Sequence, residues 1–374
     1  MMEIVIQSVP FCYGPTSIAI AVGRLLKKRY NCSITAIGKT PSLELLNAEH
    51  GIFFQVIEME NIESHLDVLS SADLIITICD FDFAEICKNK FSKTPLVFID
   101  PLLWMWTAIP NIIEKCELYL ALEFPGVSEI VSRSYRESLF MIPQIAEFTC
   151  TREKEKVKHE KILVNLGGML SPLGANFLLA LAMCEEIIKV VEESKSLISV
   201  DIRTSNDIAK KLQKKLPNTS YVNIGSRPNK VFQSELANCE ILLSVPGMSI
   251  VYESLMAQVP SVFILPLNYS QHLQIKHYRK IFPKLSEIRG DIFDSFYELS
   301  AGIEEADGVR FAKEMGEAFS ANASDRAKFR KSLKLLLDNK SKISPLEAYC
   351  TVDVSGSAKV MDILQNRNLI WDLK

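Results

Sequence analysis

The sequence lacks the marks of several ligand-binding and membrane classes, and each gap removes a reading. No apolar run reaches the roughly 18 residues of a spanning helix. The amino terminus opens on Met-Met-Glu-Ile-Val-Ile, a buried-strand pattern rather than a charged stretch before an apolar one. The nine cysteines are scattered, with no C-x-x-C pair and no Cys/His cluster at zinc spacing. They read as free thiols in a reducing compartment, so the expectation is a cytoplasmic protein with no membrane signal. A formal charge of −3 leaves no broad basic footprint for nucleic acid. Neither G-x-G-x-x-G nor G-x-x-x-x-G-K-[ST] occurs, which argues against a nicotinamide dehydrogenase and a P-loop ATPase. No repeat of solenoid or propeller period is visible. Asp80-Phe81-Asp82 has the D-x-D form of a metal site, but so short a match arises by chance, and no metal is assigned.

What remains is an α/β pattern. Short β-branched runs alternate with segments of helical period, as parallel βαβ units require. Strands are expected at 3–8, 33–37, 53–57, 73–78, 96–100 and 118–122, with a first helix over 16–28. The charged stretch 151–160 reads as a linker between an acceptor-binding domain, 1–150, and a nucleotide-sugar domain, 161–350. Residues 351–374 are expected to form a helix that packs back on the first domain. The pattern restarts at 162–166, with further strands at 198–203, 220–224, 241–245 and 261–265. Two doubly wound, Rossmann-like domains predict a ligand cleft between the carboxyl ends of two sheets.

The densest candidate site runs from Ile241 to Tyr278. Gly247 lets a ligand approach the backbone, and a helix beginning at Met248-Ser249 would turn free N–H groups and a positive dipole end toward a diphosphate. Glu253, further along that helix, suits the vicinal hydroxyls of a ribose. Asn268, Ser270, Gln271 and Gln274 offer uncharged donors and acceptors for a sugar. An ordinary strand-turn-helix with a surface glutamate is the bland alternative.

This stretch resembles the donor-binding signature of GT-B glycosyltransferases, among them the lipid II N-acetylglucosaminyltransferase, the UDP-glucuronosyl and UDP-glucosyl transferases, and the UDP-sugar hydrolase of pseudaminic acid synthesis. The resemblance rests on Gly247-Met248-Ser249, Glu253, Val259-Pro260, and Gln271 with Gln274. Asn165-Leu166-Gly167-Gly168 is similar to the glycine-rich turn that opens the second domain in those families, and Gly14-Pro15-Thr16 to their amino-terminal loop. Asp100, Trp104-Met105-Trp106 and the Leu265 to Gln271 segment look like cytosylglucuronate synthase and its relatives in nucleoside-antibiotic pathways. That likeness implies a UDP-glucuronic-acid-like donor and a nucleobase acceptor, with Trp104 and Trp106 available for stacking; the UDP-sugar is expected as donor substrate, with no separate cofactor.

The sequence also departs from these families. Pro15 stands where several of them carry a histidine near the reacting centre, and Val245 where plant-type transferases place one on the diphosphate. A histidine base is therefore not supported. Asp100, at a strand's carboxyl end, suits a general base, although a turn or capping aspartate is as common there. Arg203 and Ile224, at two other strand ends, are expected on the nucleotide side, with a surface ion pair as the alternative for Arg203. A UDP-sugar hydrolase, a 2-epimerase and a catalytically silent partner subunit remain open beside the transferase.

Overall fold

Five-residue runs such as Leu74–Ile78 and Leu96–Asp100 are buried at every position, as strands of a parallel sheet covered on both faces must be. In the computed structural model they form two such sheets. It describes residues 1–106, 108–150, 152, 158–167, 169–170, 173–194, 198–347 and 352–371, with only the backbone of 158–160. The chain divides into two compact units, Met1–Glu147 with Asp353–Lys374, and Phe148–Val352.

The first unit begins β1 (Met2–Ser8), α1 (Gly14–Arg29), β2 (Cys32–Gly38), α2 (Ser42–Ala48), β3 (Gln55–Glu58), α3 (Leu66–Ser71) and β4 (Leu74–Ile78). It continues through α4 (Phe81–Lys90), β5 (Leu96–Asp100), β6 (Leu118–Leu122), α5 (Val127–Ser134) and β7 (Leu139–Ile142). Its strands lie in the order β3-β2-β1-β4-β5-β6-β7, every neighbouring pair parallel. Pro15 occupies the first turn of α1, where the missing N–H is harmless, and Lys27, Lys28 and Arg29 complement the dipole at its other end.

The second unit carries β8 (Lys158–Gly167), α6 (Phe177–Glu193), β9 (Ser199–Thr204), α7 (Asn206–Gln213), β10 (Val222–Gly225), α8 (Asn229–Asn238) and β11 (Cys239–Ser244). Then come α9 (Met248–Ala257), β12 (Ser261–Phe263), α10 (Tyr269–Ile281), β13 (Ser286–Glu287), α11 (Glu305–Ala321) and α12 (Ala323–Asp338). The strand order is β10-β9-β8-β11-β12-β13, again parallel throughout. The core gathers Leu179, Met183 and Ile187 of α6 with strand residues Val164, Ile202 and Leu243 and with Phe319, Phe329 and Leu333 from the last two helices.

The last helix, α13 (Gly356–Asn366), completes the first unit. Val360, Met361 and Leu364 join Ile18, Val22 and Leu26 of α1 in one core. The backbone is stitched in by Gln144 N–H to Asp353 carbonyl at 3.1 Å and Gly356 N–H to Gln144 carbonyl at 3.0 Å. A side chain at Gly356 would meet the Pro143 carbonyl at 2.3 Å, so this approach admits only glycine.

Of the linker expected at 151–160, residue 151 and residues 153–157 lie outside the described residues. Arg152 is held by the second unit, its Nη1 donating to the carbonyls of Ala237 at 3.2 Å and Cys239 at 3.0 Å. β7 and β13 were not expected, because four and two residues are too short to display a period.

Candidate functional site

Each sheet reverses its winding beside its first strand: β1 lies between β2 and β4, and β8 between β9 and β11. Connections leave such a strand pair in opposite directions, which opens a crevice at their carboxyl ends.

In the second unit β8 ends at Gly167, whose φ of +62° suits glycine. Gly167 N–H donates to Asn165 Oδ1 at 3.1 Å, and its carbonyl accepts from Thr204 Oγ1 at 3.0 Å. Gly168, its expected partner in the site, lies outside the described residues. Asn165 reaches the neighbouring strand, where its Nδ2 donates to Ser244 Oγ at 2.9 Å and its carbonyl accepts Val245 N–H at 3.1 Å. One buried side chain thus joins the loop after β8 to the loop after β11. Sequence reasoning did not single out Asn165 as a site residue. The signal was there: a lone amide near the end of an apolar strand.

After β11 the chain is buried through Val245 and Pro246, surfaces at Gly247, Met248 and Ser249, and is buried again at Ile250. That partly exposed step is the start of α9. Gly247 is its N-cap, no side chain caps it, and its first turn holds no acidic residue. The unpaired N–H groups of the first turn and the positive dipole end are available to an anion. Gly247 itself has φ −99°, open to any residue. A Cβ there would meet Ile250 Cγ2 at 3.7 Å and Gln271 Nε2 at 4.0 Å, which are ordinary contacts. The protein's own packing therefore does not demand glycine at this position.

Gln271 is placed by its carbonyl oxygen, which accepts Leu267 N–H at 2.8 Å, and its amide nitrogen is left on the Gly247 side. Asn268 and Ser270 build the start of α10: Asn268 Oδ1 accepts Gln271 N–H at 3.0 Å and Ser270 Oγ–H at 2.9 Å. Gln274 is buried, and its Oε1 has no hydrogen-bond partner among the described residues. His272 is buried beside Phe296, and desolvation pushes its pKa down to about 3, so the ring is neutral. Glu253 is buried on α9, and no hydrogen bond or ion pair to its carboxyl is found among the described residues. Desolvation alone pushes its pKa up to about 8.

Several expected site residues are engaged elsewhere. Arg203 is 2% exposed, and its guanidinium grips Glu235 through Nε at 2.6 Å and Nη2 at 2.8 Å, Asp201 at 3.1 Å, and the Asn223 carbonyl at 3.0 Å. These donors are committed to the fold. Ile224 lies in register with Ile202, and its carbonyl accepts from Gln213 Nε2 at 2.8 Å, so that group too is taken.

Asp100, expected as an acceptor-facing base, is held by the first unit. It is fully buried; Oδ1 accepts Leu102 N–H at 2.7 Å, and Oδ2 accepts Trp106 Nε1–H at 2.9 Å and Tyr119 O–H at 2.5 Å. Burial outweighs these bonds and raises its pKa. Trp106 packs edge-on to Phe81, while Trp104 donates to the Pro101 carbonyl at 3.1 Å and lies against Phe124. Both indoles are thus occupied by the first unit. Thr16 is fully buried and donates to Ser42 Oγ at 2.8 Å, whereas Gly14 and Pro15 are partly exposed at the start of α1.

No group of three or more His, Cys, Asp or Glu among the described residues is arranged to hold a metal. Among them, too, no helix is long and apolar enough to cross a membrane.

Two doubly wound parallel sheets with this strand order define a GT-B fold, and the chain resembles GT-B glycosyltransferases over its whole length. The S. aureus MnaA–UDP co-structure is similar at a TM-score of 0.60 and 11% identity, covering 99% of this chain and 98% of that one. A Neisseria meningitidis UDP-GlcNAc 2-epimerase bound to UDP-GlcNAc gives 0.58 at 13% identity, with 98% and 100% covered. Arabidopsis thaliana UGT89C1 gives 0.50 at 12% identity, with 98% and 99% covered. No family model and no curated protein matches the sequence.

Proposed function

We propose that this chain is a nucleotide-sugar enzyme that moves a sugar from a UDP-sugar to a small-molecule acceptor without a bound metal. The observation that carries the reading is the start of α9 at Gly247, which no side chain caps, followed on the same helix by the buried carboxyl of Glu253, which has no partner among the described residues. The N–H groups of Met248 and Ser249 would hold the diphosphate and stabilise the negative charge that develops on departing UDP. Glu253 would accept hydrogen bonds from the ribose hydroxyls, and Gln271 and Gln274 would meet the sugar. UDP and UDP-GlcNAc occupy two neighbours of the same fold, which supports a uridine nucleotide here. The nucleobase-acceptor expectation leaned on Asp100 and the two tryptophans, whose polar groups bond within the first unit, so the proposal is kept to a small acceptor.

The test is a thermal-shift screen over UDP, TDP and GDP, with and without EDTA. UDP is expected to raise the unfolding midpoint most, and EDTA to leave that shift intact. Gly247→Ala separates a site from a turn: the free protein should melt as the parent does, while a methyl group before the helix removes most of the UDP shift. An unchanged shift in Gly247→Ala would refute the diphosphate assignment. Product analysis then separates transfer from hydrolysis and C2 epimerisation.

A further inference from the structure

The second unit, taken by itself, buries a polar atom that its own fold leaves unanswered. Gln274 lies one turn beyond Gln271 on α10, which puts the two amides on the same face of the helix. It is 4% exposed, and its Oε1 has no hydrogen-bond partner among the described residues. The Gln271 amide nitrogen lies 4.0 Å from where a Cβ on Gly247 would stand, so this face of α10 adjoins the start of α9.

A buried carbonyl oxygen without a donor is unfavourable, and leucine would fill the same space without that penalty. The glutamine is therefore explained by a hydrogen-bond donor that a ligand brings. Its surroundings restrict the charge of that ligand. From Tyr269 to Ile275 the helix carries no charged side chain, and His272 stays neutral because burial pushes its pKa down to about 3. On α9 the one acidic or basic side chain is Glu253, which adds no positive charge in either of its states. The next cation along α10, Lys276, donates to the Leu299 carbonyl at 2.5 Å and pairs with Glu298 at 2.7 Å. Arg279 and Lys280 stand exposed in the last turn. A carboxylate brought against this wall would find no cation beside it on α9 or α10 and would be buried unpaired. A hydroxyl, by contrast, donates to Gln274 Oε1 and needs no counter-charge.

We propose, resting on the UDP-sugar reading, that the donor carries an uncharged, hydroxyl-bearing sugar and that Gln274 is a specificity-determining residue, its Oε1 accepting a sugar hydroxyl. A hexose meets that requirement. A uronic acid, the sugar implied by the likeness to cytosylglucuronate synthase, has a carboxylate in place of the hexose's hydroxymethyl group, and the wall formed by α9 and α10 gives that charge no partner. UDP alone, which lacks the sugar, does not sense Gln274.

The experiment titrates the full chain by calorimetry with UDP, UDP-glucose, UDP-galactose and the two corresponding uronic acids, with no acceptor present. Within each pair the ligands share the diphosphate and differ only at C6. In the pair that binds more tightly, the hexose is expected to bind at least about tenfold more tightly than its uronic acid, the scale of one buried polar group left unpaired. Gln274→Leu should weaken that hexose about tenfold and leave UDP binding unchanged. The free variant should melt no lower than the parent, since it has lost an unpaired buried acceptor. A glutamine that served only the fold would give the opposite pair of results, a lower melting point with the preference among ligands unchanged. Equal binding of hexose and uronic acid in both pairs overturns the proposal and leaves the UDP reading standing, as does parent-like hexose binding by Gln274→Leu or its failure to fold. A parent that UDP does not stabilise removes both.

Discussion

Glu253 is the residue on which the donor site is most exposed to test. An ordinary glutamate ionises near pH ~4.3 in an unfolded chain, whereas burial holds this one protonated up to about 8. Between those values only the unfolded state gives up the proton. The free protein should therefore lose stability as pH rises through that window and level off above it. Glu253→Gln should flatten this slope in thermal midpoints taken from pH ~5 to pH ~8.5. Ribose hydroxyls donate to the ionised form and favour it, so UDP should bind more tightly as pH rises and expel a proton, measurable by calorimetry in two buffers of different ionisation enthalpy. A parent whose midpoint is level across the window would show that the carboxyl is not held protonated. Asp100 calls for the opposite reading. Asp100→Asn turns an acceptor of three hydrogen bonds partly into a donor and should destabilise the protein by about 1–3 kcal/mol, while the UDP shift persists.

At the scale of elements, the ion-pair cluster beneath β9 carries its own prediction. Glu235→Ala leaves the buried Arg203 guanidinium short of its bidentate partner and should cost roughly 3–5 kcal/mol. Arg203→Met should cost less, because Glu235 keeps Arg227 and Asp201 keeps Lys161. The UDP shift should survive in both, and its loss in Arg203→Met would restore Arg203 to the nucleotide. The strands were legible in the sequence because parallel strands are apolar at nearly every position, and the start of α9 because Gly-Met-Ser follows such a strand directly. What stayed hidden is which polar side chains at strand ends turn inward. Asp100 and Arg203 look alike in the sequence, each a charge near the end of an apolar run. Only partners distant along the chain, Tyr119 and Glu235, show that both are buried anchors. Asn165 was hidden for the same reason, its partner Ser244 lying a whole sheet crossing away.

For the whole molecule, two units with separate cores imply two sources of stability. A ligand held by one of them should act on that one first. UDP at about 100 times its dissociation constant adds about 2.7 kcal/mol to the state that binds it, so calorimetry should show the transition of the Phe148–Val352 unit moving upward ahead of the other. Leu364→Ala, which empties a core position shared by α13 and α1, should cost about 2–5 kcal/mol in the first unit's transition instead. The return of α13 also bears on the order of events during synthesis. The apolar face of α1 is made before the second unit, yet its cover, α13, follows only after that entire unit has been translated. The unit encoded between the two parts of the other can therefore finish folding first, while that other unit must wait, with an open seam, for α13 to close it.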